Sequence, residues 1–259
     1  MHIFREPKVT LLARQQYLGA PHIQWESDSD VPGQELAEFA GRLCYLSFGA
    51  EAGFEGGHKL ISGRTGNRAY LDNILKVRHG SVIEHASWTF LFEGVSRALT
   101  HELVRHRHLS FSQLSQRYVD ESAVGFVLPP EIAEGSAAFE TWKRSCERAL
   151  GEYRELLAQI EEQVQDEPSA TLRRKRARQT ARSVLPNAAE TKIVVTGNAR
   201  AWRHFLELRG SASAEAEIRL LALALLRVLR EEAPNLFGDY QIVRQENGVE
   251  VIETPFAGV

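Results

Sequence analysis

Cysteine is almost missing from this chain: Cys44 and Cys146 are the only two among 259 residues, far apart and in no metal-ligand spacing. Two cysteines make no disulfide framework, so a reducing compartment is expected. Long hydrophobic runs are also missing. The longest, Leu220 to Leu226, falls far short of the ~20 apolar residues that a membrane span needs. The opening Met1-His2-Ile3-Phe4-Arg5-Glu6-Pro7 contains no signal-peptide core. Basic charge is not in excess: the net charge of -3 argues against a bulk nucleic-acid binder, whose affinity rests on phosphate neutralisation. No G-x-G-x-x-G appears, which removes the Rossmann mode of holding a dinucleotide. These absences leave a soluble cytoplasmic protein with neither nucleic acid nor membrane as partner.

What is present fits a globular chain, with 43% hydrophobic and 25% charged residues. No repeat, low-complexity tract or linker divides it, so residues 1–259 are read as a single domain. Lys8 to Leu12 reads as a strand. Leu36, Phe39, Ala40 and Leu43 give 34–44 a helical stripe. Gly49, Gly53, Gly56 and Gly57 mark a mobile loop. The spacing of Tyr70, Leu71, Ile74 and Leu75 predicts a helix over 67–78, with His79-Gly80 ending it. Trp88, Phe90 and Phe92 alternate with the strand period, and Ser96 caps a helix through Leu99, Leu103 and Val104. Another strand covers 124–128, long helices cover 138–165, 169–184 and 213–233, and a strand over 191–196 precedes a helix over 199–209. Asn247-Gly248 marks a hairpin turn. The fold class is α/β (α+β): a mixed sheet core with long flanking helices.

The densest chemistry lies between residues 105 and 118, where three arginines, two histidines and three serines occur in fourteen positions without Asp or Glu. A solvated helix face interleaves acids with bases, so this segment is suited to holding anions. Guanidinium forks match phosphate oxygens, and hydroxyls and amides complete a cradle. If Arg105, His106 and Arg107 were helical, their side chains would diverge by about 100° each. Either the helix ends there, or these residues serve different ligands or subunits. A zinc helix is excluded, because His101 and His106 are five apart, leaving the rings about 140° from each other. Flanking Arg105 and Arg107 would repel a cation, and no metal is expected.

Further on, six of the ten positions from 173 to 182 are Arg or Lys. The charges encircle the helix, with Lys175, Arg178 and Arg182 as the only ordered stripe, so most read as a solvated face or a subunit contact. Asn198 is a suitable cap for the helix carrying Trp202, Phe205 and Leu206, and a helix N-terminus attracts phosphate.

Arg105-His106-Arg107, seven residues, then Ser115-Gln116-Arg117-Tyr118 resembles the signature of the flavin-dependent (ThyX-type) thymidylate synthases. His79-Gly80-Ser81-Val82-Ile83-Glu84-His85, Arg182-Ser183-Val184-Leu185-Pro186 and the segment 196–209 extend the likeness, which spans roughly residues 8–240. The resemblance implies FAD as cofactor, held by Ser81, Arg105, His106, Arg107, Gln113, Asn198, Ala199, Arg200 and His204. It implies dUMP as substrate, bound by Glu102, Arg105, Gln113, Leu114, Ser115, Gln116, Arg117, Arg182 and Arg209. Arg209 would stabilise negative charge on the pyrimidine, and His79 would lie near the reacting rings. It further implies 5,10-methylenetetrahydrofolate as carbon donor, NADPH as reductant, no covalent enzyme nucleophile, and a homotetramer with shared active sites. Cys44, in an apolar stripe, and Cys146, on a polar helix, both read as inert. The competing reading is a non-catalytic nucleotide- or RNA-binding protein using the 105–117 and 173–182 clusters. Bound flavin colour separates the two.

Overall fold

The computed structural model of the chain describes residues 1–48 and 66–259. The glycines at 49, 53, 56 and 57, read as a loop, lie outside the described residues. In chain order the elements are β1 (Ile3–Phe4), β2 (Lys8–Arg14), α1 (Pro32–Cys44), α2 (Asn67–Lys76), α3 (Gly80–Ile83), β3 (Ser87–Ser96), α4 (Arg97–Leu103) and β4 (Ser110–Gln113). There follow β5 (Phe126–Val127), α5 (Ala137–Gln163), α6 (Ala170–Ala181) with a 3-10 turn at Arg182–Val184, β6 (Glu190–Asn198), α7 (Ala199–Arg209), α8 (Ala216–Glu232), α9 (Pro234–Phe237), β7 (Gln241–Arg244) and β8 (Glu250–Glu253). The mixture of helices and strands is the α/β class expected. Four strands form a sheet in the order β2-β3-β6-β4; β1 pairs with β5 in parallel, and β7 with β8 antiparallel.

The chain divides into two compact units, each assembled from three stretches. The first contains residues 1–8, 92–105 and 111–194; the second contains 9–91, 106–110 and 195–259. In the first unit, α5 places Phe139, Cys146, Leu150 and Tyr153 on its buried side, a helical spacing, and packs along α6. Cys146 joins Val124, Phe126, Leu150 and Ala189 in one apolar cluster. Burial pushes its thiol up to about 11, leaving almost no thiolate at neutral pH. The two cysteines thus exchange the positions read from sequence: Cys146 is buried, and Cys44, at the end of α1, is exposed.

Strand β3 buries Trp88, Phe90 and Phe92 on alternate positions, as the period requires, the first two belonging to the second unit and Phe92 to the first. The stripe of α1 is not the one its apolar residues predict. The buried face carries Gln34, Ala37, Glu38, Gly41 and Arg42, while Leu43 is exposed. Arg42 forms an ion pair with Glu38 at 2.7 Å, and Asn67 donates to Glu38 at 2.8 Å and to the Gln34 carbonyl at 2.9 Å. This network satisfies the buried polar groups, which turns an apparently polar face into an interior one. Small residues complete the exchange: Ala37 and Gly41 face inward, and a Cβ at Gly41 would come within 2.5 Å of the Tyr70 hydroxyl.

Ser96, Ser136, Ser169 and Asn198 cap α4, α5, α6 and α7, each side chain accepting the N–H three residues on. Such a cap stabilises a helix by about 1 kcal/mol. The end of α2 differs from expectation. Arg78, not Gly80, takes the left-handed conformation, with φ 58°. The His79 N–H reaches the Ile74 carbonyl at 3.0 Å and the Arg78 N–H that of Leu75 at 3.1 Å, the paired bonds of a Schellman ending. Gly80 instead opens α3. At the C-terminal hairpin, Gln245 pairs with Val249 and the Gly248 N–H returns to Gln245. Gly248 has φ 83°, so the loop has three central residues with glycine at its left-handed position. Among the described residues, no helix is long and apolar enough to cross a membrane.

Candidate functional site

Helix α7 organises the site in the second unit. Asn198 Oδ1 accepts the Ala201 N–H at 2.9 Å, and the Ala199 N–H donates to the Ala86 carbonyl at 2.8 Å, which fixes where the helix begins. Its inner side buries Ala199, Ala201, Trp202, Arg203, Phe205 and Leu206. Arg200 and His204, one turn apart, therefore share the exposed side. A cavity of about 460 Å³ opens there, lined by Glu84, His108, Asn198, Arg200, Ala201, His204, Gly258 and Val259. That volume is within the range of small-molecule sites. Arg200 Nη1 donates to Glu84 Oε1 at 2.6 Å. Gly80 lets the chain approach this pair, since a Cβ there would come within 2.7 Å of Arg200 Nε and 3.0 Å of the Val259 carbonyl carbon. A helix N-terminus flanked by a guanidinium and imidazoles suits an anionic ligand.

His106 lies beside this helix and is buried. Arg209 Nε donates to His106 Nε2 at 3.1 Å; a guanidinium cannot accept, so Nε2 is the bare nitrogen and the ring proton belongs on Nδ1. The ring meets those of His204 and Phe205 edge-on, with centroids 5.8 and 5.2 Å away. Burial first, then the charge of Arg209 and the neighbouring His204, push the His106 pKa down to about 4. Neutral His106 is thus the acceptor that fixes the plane of the Arg209 guanidinium.

This depression has a direction in stability. Between about pH 6.5, the ordinary histidine value, and pH 4, the unfolded chain binds a proton that folded His106 does not, so stability falls as the pH falls through that window. Glu121, in the first unit, acts oppositely: burial raises its carboxyl to about 6, so its protonation in the folded state favours folding on acidification. We expect His106→Gln to lose less of its thermal midpoint than the parent protein between pH 6.5 and 4. Equal losses in parallel melts would remove His106 from the account.

In the first unit, Gln113 Nε2 donates to the hydroxyls of Thr100 and Thr191 at 3.1 and 3.4 Å. The Leu114 carbonyl accepts from Arg97 at 3.0 Å, and Ser115 Oγ accepts the Arg117 N–H at 3.3 Å. Gln116 is buried, Glu102 half-buried, and Arg105, Arg117 and Arg182 are exposed. No ion pair engages these three arginines among the described residues. Arg182 lies near enough to Arg97 that its charge depresses the Arg97 guanidinium, with burial the larger cause.

Sequence reasoning left two possibilities for Arg105-His106-Arg107, and the first, a helix end, is met. Helix α4 stops at Leu103 with Val104 as its cap, so the motif leaves the helix before its charges begin. The signature is divided along the chain, Arg105 and 111–118 belonging to the first unit and 106–110 to the second. The cavity brings together Asn198, Arg200 and His204, with Ala199 buried at the start of α7. His79, Ser81 and Arg107 are exposed and do not line it. Sequence reasoning missed His108, counted only among the histidines of the 105–118 segment, and the pair Gly258-Val259, which lies beyond the likeness that ends near residue 240. Among the described residues, no group of three or more His, Cys, Asp or Glu could hold a metal.

The family model described as thymidylate synthase complementing protein matches residues 28–235. A protein of Mycobacteroides abscessus named flavin-dependent thymidylate synthase is 47% identical over 249 residues, 96% of this chain and 95% of its own. Proteins of the same name from Mycolicibacterium vanbaalenii and Mycobacterium tuberculosis are each 46% identical over 250 residues, covering 96% of both chains.

Proposed function

We propose, because the chain belongs to the thymidylate synthase complementing protein family, that it is a flavin-dependent thymidylate synthase. It makes dTMP from dUMP, with 5,10-methylenetetrahydrofolate as carbon donor and NADPH as reductant, in the cytoplasm and as a homotetramer with shared active sites. The near full-length similarity to relatives of that name carries this reading. The donors around the 460 Å³ cavity fit the phosphates of FAD: Arg200, His108 and His204 lie about the start of an eleven-residue helix. Bound FAD supplies hydride chemistry that amino-acid side chains lack.

The chain's own residues bind and polarise. Asn198, Ala199, Arg200 and His204, with Ser81, Arg105, His106, Arg107 and Gln113, hold the cofactor. Arg105, Ser115, Arg117 and Arg182 neutralise the dUMP phosphate, and Glu102, Gln113, Leu114 and Gln116 orient the nucleotide. Arg209 places a fixed positive charge against the pyrimidine as the base becomes nucleophilic, held in plane by His106. His79 lies near the reacting rings. No side chain attacks the base, in keeping with the raised thiol of Cys146.

The test is direct. The purified protein should carry flavin absorbance, and the reduced protein should form dTMP from dUMP only when methylenetetrahydrofolate is added. A colourless protein with no dTMP formed would overturn the reading. Arg117→Ala should weaken dUMP binding roughly tenfold or more, the loss of about 1.5–3 kcal/mol of charge-assisted hydrogen bonding; unchanged affinity by calorimetry would remove Arg117 from the substrate set. The double variant Cys44→Ala/Cys146→Ala should keep making dTMP. Complete loss of turnover with folding and flavin content intact would instead favour a cysteine nucleophile.

A further inference from the structure

A second cavity, of about 220 Å³, lies wholly within the first unit and is lined by Arg117, Tyr118, Thr171, Arg174, Lys175 and Arg178. Four of these six side chains are cations and none is a carboxylate. Arg174 and Arg178 stand one turn apart on α6, and Lys175 stands three residues before Arg178, so three like charges share one face. That spacing is repulsive in an isolated helix. The acids of this region are engaged elsewhere. Glu167 meets Arg176 at 3.7 Å and gives its carbonyl to Arg173. Asp120, close enough to feel Arg178, already accepts from the N–H and hydroxyl of Ser122 and the hydroxyl of Tyr153.

The cations are also positioned. Arg178 Nη1 donates to the Tyr118 carbonyl at 2.6 Å, while its Nε is buried without a hydrogen-bond partner among the described residues. Lys175 Nζ lies 5.0 Å from the Tyr118 ring centroid. Thr171 adds a hydroxyl from the first turn of α6. A half-fixed guanidinium, an ammonium group and a hydroxyl around a small cavity form a receptor for a compact oxyanion.

We propose that this cavity is a second anion site, adjoining the one that holds the dUMP phosphate and sharing Arg117 with it, and that it takes a carboxylate or phosphate group of a second ligand. Two carriers of that chemistry belong to the reaction: the glutamyl carboxylates of the folate, and the phosphates of a further nucleotide. The choice of carrier rests on the function proposed above; the anion site does not.

The experiment is calorimetric titration of the full-length, flavin-bound protein with a γ-linked triglutamate peptide and, separately, with inorganic pyrophosphate, each with and without saturating dUMP. At least one probe should bind once per chain in the presence of dUMP and weaken as salt is raised. Tighter triglutamate binding assigns the folate tail, and tighter pyrophosphate binding assigns a nucleotide. Arg174→Gln/Lys175→Gln, both changes to good helix formers, should weaken the probe roughly tenfold or more while leaving the dUMP dissociation constant and the circular dichroism of the helices unchanged. The proposal is overturned if neither probe binds, if the double variant binds equally well, or if dUMP displaces the probe. Failure of the enzyme reading shows itself separately, as absence of dTMP formation by the unaltered protein, and the titrations without dUMP then still decide the anion site.

Discussion

Asp239→Ala should destabilise the folded chain by about 3–5 kcal/mol, because it strands a buried guanidinium. Arg203 is completely buried on the inner side of α7. Its Nη1 and Nη2 donate to the two carboxylate oxygens of Asp239 at 2.7 and 2.8 Å, and Nη1 also reaches the Leu236 carbonyl at 2.7 Å. The Tyr240 ring lies 4.5 Å from the guanidinium, and Tyr240 in turn donates to Glu207 at 2.9 Å. Asp239 is further fixed by the Thr254 hydroxyl. Removing the carboxylate leaves the charge dehydrated with neutral acceptors only, and the expected loss is a large part of a typical total stability of about 5–15 kcal/mol. Urea denaturation measures it. The double variant Arg203→Leu/Asp239→Ala should recover much of the loss, since a buried ion pair contributes little net stability over an apolar replacement. A single variant within about 0.5 kcal/mol of the parent, the range of ordinary surface changes, would show the pair to be solvated.

Arg209→Gln should lower dTMP turnover by about 10²–10³-fold, the usual effect of removing one preorganised donor from developing negative charge. Flavin content should stay near that of the parent, because the helix start carrying Asn198 and Arg200 is untouched. Arg209→Lys should lose most of this activity as well. A lysine keeps the charge but has no planar Nε–H to place against His106 Nε2, so its ammonium group is not held in one orientation. A readout independent of turnover accompanies the change. Arg209 is the second cause of the low His106 pKa, after burial, so the imidazole should titrate above 4 in Arg209→Gln when followed by NMR. Turnover close to the parent's in Arg209→Gln would exclude a catalytic part for this arginine.

Local chemistry was readable where neighbouring residues decide the structure. Ser96 and Asn198 cap the helices that their positions announced, and Trp88, Phe90 and Phe92 are buried on alternate positions as the strand period requires. The signature at 105–118 could be read because so many anion-seeking groups lie within fourteen positions. What stayed hidden depends on partners distant along the chain. The buried face of α1 is polar because Asn67 and Asn235 arrive to satisfy it. Arg203 reads as an ordinary helix arginine until Asp239, thirty-six positions later, is brought beneath it. His106 looks like one more polar member of its motif, and only Arg209 and the rings of His204 and Phe205 make it a buried neutral acceptor. The end of α2 could not be read because arginine seldom adopts a left-handed conformation. At Arg78 two terminal hydrogen bonds outweigh that preference.

The three-part make-up of the second unit has a consequence for how the protein is born. Its middle and last stretches begin at residues 106 and 195, so a nascent chain that has reached residue 91 holds less than the whole of that unit. Glu84 waits for Arg200, His106 for Arg209, and Gln34 for Asn235. At a ribosomal pace of about 5–20 residues per second, the 104 residues separating 91 from 195 represent a delay on the order of 5–20 s. During that interval Trp88, Phe90 and Leu71, all buried in the finished protein, have left the ribosome ahead of α7 and α8. The emerging chain at this stage should be a client for chaperones that shield apolar segments, and ribosome-bound chains arrested before residue 195 should be cleaved by protease where released full-length protein resists it.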